Sequence, residues 1–131
     1  KKGCMNTTYD LKEAIIKGSR GQKKINKVLS RVFQSIRIEV NKEFENIKIM
    51  LEGIPKIIKV GGKIVLITFH SLEDRIVKKR LFSMNGQYFK TKYGEKKISL
   101  DSKKVTKPSR SEILKNKRSR SAKLRSATII A

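Results

Sequence analysis

The amino-acid sequence predicts an α/β fold, one half of a doubly wound arrangement in which helices cover a mostly parallel sheet. Three observations lead there. An amphipathic helical pattern precedes an apolar strand at residues 63–69, and a second amphipathic pattern follows it. The strand itself, Lys63-Ile64-Val65-Leu66-Ile67-Thr68-Phe69, lacks the apolar–polar alternation of a half-exposed strand. Both of its faces are therefore expected to be buried, as in the middle of a parallel sheet. The third observation is a deficit: only residues 88–92 and 123–130 read as further strands. Two weak strands cannot satisfy the hydrogen-bonding edges of a doubly buried one.

The elements follow in order. Asn6-Thr7-Thr8 ahead of Leu11, Ala14 and Ile15 is a capped helix start. Gly18, Gly21 and many lysines make the remainder of residues 1–30 a basic connector. Phe33, Ile36, Val40, Phe44, Ile47 and Leu51 recur at spacings of three and four, which predicts one amphipathic helix of about five turns. Gly53 and Pro55 punctuate its end, and Gly61-Gly62 leads into the strand. His70-Ser71 closes the strand. Ser71 with Asp74 three residues on resembles a capping box, opening a helix that carries Leu72, Ile76, Val77 and Leu81. From residue 83 onward the composition changes to a basic tail segment, 83–131. Tyr88, Phe89 and Tyr93 stand among lysines, and from Lys103 to Arg125 the cations face a single acid, Glu112. Such a run reads equally as a solvated tail or as a nucleic-acid contact.

Charge and length narrow the function classes. The 131 residues carry 33 Lys and Arg against 11 Asp and Glu, a net charge of +22 with a pI near 10.4. A compact fold tolerates that self-repulsion best beside an anion, and nucleic acid is the expected partner. The length suits one domain, since single cores form at about 100 to 200 residues. Hydrophobic residues make up only 37%, against roughly 45–50% in an average domain. Cys4 is the only cysteine, so no internal disulfide forms, and a reducing, cytoplasmic setting is expected. The longest apolar run, residues 64–69, is far below the roughly 20 residues that cross a bilayer, so no membrane association is expected. The chain opens at Lys1-Lys2-Gly3 without Met, which points to a truncated or split reading frame.

The turn Phe69-His70-Ser71-Leu72-Glu73-Asp74-Arg75 is the strongest candidate for chemistry, because ligands of open α/β sheets bind outside the carboxyl ends of strands. His70, the only histidine, can donate, accept or position a proton there. Equally, His70 and Ser71 can simply cap the helix. Glu73 and Asp74 suit a helix N-terminus whatever the function. Arg37 and Asn41, four apart, share a helix face and can hold a phosphate, a base edge or each other. No glycine-rich loop joins a strand to a helix, no His/Cys cluster has metal spacing, and no Ser/His/Asp arrangement stands out. No cofactor-binding residue and no metal ligand are assigned.

Three strings, residues 31–41 (Arg-Val-Phe-Gln-Ser-Ile-Arg-Ile-Glu-Val-Asn), residues 61–78 with Phe69-His70-Ser71-Leu72-Glu73-Asp74-Arg75 at their centre, and residues 118–125 (Arg-Ser-Arg-Ser-Ala-Lys-Leu-Arg), resemble the C-terminal signatures of the 16S rRNA cytosine-N4 methyltransferases. Val28-Leu29-Ser30 departs from the Pro-Ala-Thr of many relatives. The resemblance implies an S-adenosylmethionine-dependent enzyme with a Rossmann-like class I methyltransferase domain interrupted by a helical substrate-binding insertion. Residues 1–28 would end that insertion and residues 29–131 would form the C-terminal part of the methyltransferase domain. It implies 16S rRNA in the small ribosomal subunit as substrate. His70, Ser71 and Asp74 would be catalytic, and Arg31, Arg37, Asn41, Arg75, Arg118, Arg120, Lys123 and Arg125 would bind RNA. The donor loops of the family have no matching positions in these residues, so a separate N-terminal half is an expected partner. The alternatives are a basic RNA-binding protein without catalysis, using Tyr88, Phe89 and Tyr93 for stacking, and an inactive remnant.

Overall fold

In the computed structural model, which describes residues 5–19, 24–92 and 94–131, the first helix starts where Asn6-Thr7-Thr8 places it. Cys4, Gly21 and Tyr93 lie outside the described residues. Helix α1 spans Thr8–Gly18, with Thr7 as N-cap: the Thr7 hydroxyl accepts from the Asp10 N–H, and the Asp10 carboxylate accepts from the Thr7 N–H. That reciprocal pair satisfies two donors every helix start leaves open. Helix α2 spans Ile25–Val40, so the expected basic connector shrinks to the few residues between α1 and α2. Neither helix buries a residue.

The predicted five-turn helix is interrupted. Helix α2 ends at Val40, Lys42 adopts a left-handed backbone with φ of +51°, and α3 begins at Glu43. Apolar spacing of three and four continues across the break because a single backbone reversal does not alter spacing in the sequence. Of the predicted stripe only Leu51 is fully buried, while Val40 is 74% exposed. The chain divides into two compact units at this break, residues 1–43 and residues 44–131.

The second unit holds the core. Helix α3, Glu43–Ile57, runs straight through Gly53 and Pro55, which the sequence had placed at its end. Proline inside a helix removes one donor, but Pro55 is fully buried and its packing offsets the loss. Strand β1 is Lys63–Thr68, helix α4 Ser71–Met84, strand β2 Tyr88–Thr91 and strand β3 Gly94–Leu100. A short helix α5, Arg110–Lys115, and a 3-10 turn, Lys117–Ser121, precede strand β4, Lys123–Ile130. The sheet order is β1-β4-β3-β2, antiparallel at every pairing. One face packs on α3 and α4 through Leu51, Ile54, Ile64, Val77, Leu81, Met84, Ile98, Ala127 and Ile129.

Two expectations are corrected by this sheet. The first is that β1 is central and parallel: among the described residues it is an edge strand beside antiparallel β4, and only one face is covered. Ile64 and Thr68 are buried whereas Val65 and Ile67 are 55% and 56% exposed. An apolar run shows what a strand can bury, not what lies against it. The second is the solvated tail: the strands expected at residues 88–92 and 123–130 form as β2 and β4, β3 joins them, and residues 83–131 supply three of the four strands among the described residues. Strand β3 escaped notice because Glu95-Lys96-Lys97 masks its alternation. Lys96 is nevertheless buried, its stem in the sheet and its ammonium donating to the Ile58 carbonyl at 2.9 Å.

Candidate functional site

Strand β1 ends at Thr68, and two residues later α4 begins, so Phe69 and His70 form the whole of the connecting bend. The helix cap is His70, one residue earlier than the Ser71–Asp74 pair proposed from sequence. His70 Nδ1 accepts from the Glu73 N–H at 3.4 Å, and Glu73 Oε2 accepts from the N–H groups of Phe69 and His70 at 3.0 and 3.4 Å. Since Nδ1 accepts, the neutral ring carries its proton on Nε2. Nε2 lies 3.0 Å from Glu73 Oε1, but the N–H does not point at that oxygen, and Nε2 is a buried atom without a hydrogen-bond partner. The Phe44 ring stands 6.1 Å away, tilted by 56°, and backs the imidazole. The cap therefore engages Nδ1, while Nε2 lies beside the Glu73 carboxylate with no hydrogen bond among the described residues.

Thr68 is a second such group, missed in the sequence reading. It is 6% exposed and its hydroxyl has no partner among the described residues. The available signal was its position, a lone polar side chain near the carboxyl end of an apolar strand. Two desolvated polar atoms two residues apart, each costly to leave unsatisfied, therefore stand at this bend.

Asp74 sits on the buried side of the first turn of α4. Arg125 of β4 donates to both of its oxygens, Nε to Oδ1 at 2.8 Å and Nη2 to Oδ2 at 3.2 Å, and Lys123 Nζ adds a 3.4 Å contact. The Arg125 hydrogen bonds hold the Asp74 carboxyl below its ordinary value of 3.8 against the opposing effect of burial. This fork ties α4 to β4, and it engages Arg125, 9% exposed, inside the fold instead of presenting it to phosphate. Ser71 is exposed at the first position of α4, and Arg75 is exposed beside Asp74. The structure thus brings His70, Ser71, Asp74, Lys123 and Arg125 to one end of the β1–α4 crossover.

The other candidates lie elsewhere. Arg118 and Arg120 are exposed on the 3-10 turn that leads into β4. In the first unit Arg31 is exposed, and the side chains of Arg37 and Asn41 both donate to Glu43, Arg37 Nε to Oε1 at 2.9 Å and Asn41 Nδ2 to Oε1 at 3.3 Å, while the Asn41 backbone N–H donates to the Arg37 carbonyl at 3.0 Å. Of the aromatic trio, Tyr88 is exposed with Lys97 over its ring at 5.2 Å, Phe89 packs against the core, and Tyr93 is not described. No helix among the described residues is long and apolar enough to cross a membrane.

Fold and site together define an α/β protein in which two buried polar atoms without a hydrogen-bond partner among the described residues, Thr68 Oγ1 and His70 Nε2, stand at the carboxyl end of one sheet strand. The family model of the MraW methylase family matches residues 1–130. Proteins named ribosomal RNA small subunit methyltransferase H are similar. That of Christiangramia forsetii is 46% identical over 122 residues, covering 89% of this chain and 38% of its own length. That of Thermotoga neapolitana is 38% identical over 130 residues, covering 96% and 40%. That of Dictyoglomus thermophilum is 51% identical over 96 residues, covering 73% and 29%. This chain belongs to the MraW methylase family. It spans about two fifths of the length of most of the curated relatives it matches.

Proposed function

We propose that these residues are the C-terminal part of a Rossmann-like methyltransferase that modifies the N4 amine of a cytosine in 16S rRNA, acting in the cytoplasm on the small ribosomal subunit. Residues 1–28 then end a helical substrate-binding insertion, and residues 29–131 belong to the methyltransferase domain. The observation that carries the reading is the buried His70 Nε2 at the end of β1, which has no hydrogen-bond partner among the described residues, inside the Phe-His-Ser-Leu-Glu-Asp-Arg string shared with rRNA methyltransferases by resemblance.

The methyl donor of this reading is S-adenosylmethionine, and the residues present do not fit it. Gly61 and Gly62 precede β1, and the bend after β1 contains no glycine to admit a nucleoside or carboxylate close to the backbone. The donor is assigned to upstream residues of the complete enzyme. The free edge and exposed Val65 and Ile67 face of β1 are where such an upstream half would join, continuing the sheet with the parallel strands the sequence called for.

On this reading the chain supplies the base side of the reaction. The N4 lone pair is delocalised into the ring, so holding the amine in line matters more than raw basicity. His70 Nε2–H is a donor, which suits the acceptors N3 and O2 of the cytosine edge. Ser71 can hydrogen-bond beside it. Asp74 acts as a positioning residue by holding Arg125 and Lys123 and thereby the start of α4. Arg31, Arg37, Asn41, Arg75, Arg118 and Arg120 are assigned to RNA phosphate and sugar, with their exposure in support.

His70→Asn in the complete enzyme is the test, because asparagine caps helices well and so removes Nε2 while keeping α4. Turnover should fall about a hundredfold or more with little change in melting temperature. Full turnover would remove His70 from this role, and no methylation by the unaltered complete enzyme would overturn the function itself.

A further inference from the structure

Away from the end of β1, helices α3 and α4 leave a groove of about 440 Å³ between them. Lys48 and Glu52 of α3 and Arg75, Lys79, Arg80 and Ser83 of α4 line it. Four cations therefore face one carboxylate. No ion pair among the described residues engages Lys48, Arg75 or Lys79, and Arg80 reaches Glu52 only at 3.7 Å through Nη2. Arg80 Nε is a buried nitrogen with no acceptor among the described residues, although the side chain as a whole is 42% exposed. A charged N–H that has lost water and gained nothing is costly. An anion lying in the groove would satisfy it.

We infer that this groove holds the phosphodiester backbone of RNA flanking the target nucleotide, with Arg80 Nε donating to a phosphate oxygen and Lys48, Arg75 and Lys79 supplying charge. The inference rests on the RNA-methyltransferase reading and extends it to a contact surface outside the base pocket. Placement supports it: Arg75 stands at the start of the second turn of α4 and Lys79 four residues on, so the two share one face of the helix. A flexible polyanion in the groove meets a row of cations rather than an isolated one. An acidic protein segment would need an apolar anchor at the centre of its contact, and Ile76 is the only apolar side chain in the lining.

The test uses the complete enzyme and a fluorescein-labelled fragment of 16S rRNA. Lys79→Ala with Arg80→Ala should raise Kd about tenfold near 0.1 M salt. It should also flatten the dependence of log K on log salt by about 1 to 2, with KM raised and kcat unchanged. Lys79→Ala alone, a change at an exposed residue, should show the same pattern at smaller size. Arg80→Lys should weaken binding several-fold with the slope retained, because the charge stays and the Nε donor goes. Lys103→Ala with Lys104→Ala, cations outside the groove, should change little. Wild-type Kd and slope in a groove variant that melts like wild type would overturn the inference, as would an equal loss from the Lys103 and Lys104 changes. Polyglutamate competing as well as RNA at matched ionic strength would reassign the groove to an acidic protein. Variants that lose RNA binding in an enzyme that methylates nothing would leave the groove standing and sink the methyltransferase reading instead.

Discussion

Asp74 and Arg125 show how one buried pair can decide both stability and site geometry. The carboxylate accepts a two-pronged fork from Arg125, helped by Lys123, and its ionised form is favoured in the folded state. A carboxyl held below its ordinary 3.8 stabilises the fold above about pH 4, and that contribution is lost as pH falls through the depressed folded value. Asp74→Asn leaves Arg125 buried without its counter-charge and should cost on the order of 3 kcal/mol in urea unfolding at neutral pH. The gap between wild type and variant should narrow below pH 4. An unchanged gap there would show that something other than ionisation of Asp74 sets it.

Elements are set by glycines and caps as much as by apolar stripes. Gly62, just before β1, has no room for a side chain: a Cβ would strike the Ile58 side chain and lie 2.9 Å from the Lys59 carbonyl oxygen, which is backbone and cannot yield. Its own carbonyl accepts from the Ile129 N–H at 2.9 Å, so a shift here also disturbs the β1–β4 pairing. Gly62→Ala should therefore destabilise by about 1 to 3 kcal/mol. Gly53 is the opposite case, a glycine in the interior of α3 with open space around its Cβ position. Gly53→Ala should stabilise by about 0.5 to 1 kcal/mol. Thermal melts of the two variants, moving in opposite directions, check both statements.

At the scale of the whole molecule, β1 and β2 are the two edge strands of the sheet among the described residues, and the face of β1 opposite the core is uncovered. Beyond β1 no described strand follows, and Val65 projects from its uncovered face at 55% exposure. If upstream residues complete the sheet, as proposed, Val65 is a surface residue in this chain alone and a core residue in the complete enzyme. Val65→Lys should then change the stability of the 131-residue chain by less than about 0.5 kcal/mol. In the complete enzyme it should cost several kcal/mol, since an unpaired charge would be buried there. Equal effects in both would argue that nothing covers this face.

Much of the local structure was legible in the residues themselves. The Thr7 cap, the β1 strand, the helix after it and the Phe-His-Ser-Leu-Glu-Asp-Arg turn all follow from short-range chemistry: hydroxyls and carboxylates that meet backbone donors, and apolar runs of the right length. Long-range pairings were not legible. Nothing near Asp74 in sequence announces that Arg125, 51 residues away, will hold it. Nor does the spacing of apolar residues reveal that Lys42 takes a left-handed conformation between two helices, or that Lys96 will be buried among strands. The sequence by itself determined which segments could be helices and strands, the basic character of the chain and the position of its one histidine, because those depend on neighbours within a few residues. Only the tertiary structure decided that β1 is an edge strand among the described residues, that β3 joins the two strands legible in the basic segment, and that His70 caps α4 through Nδ1. Those outcomes depend on which distant groups remove water from one another.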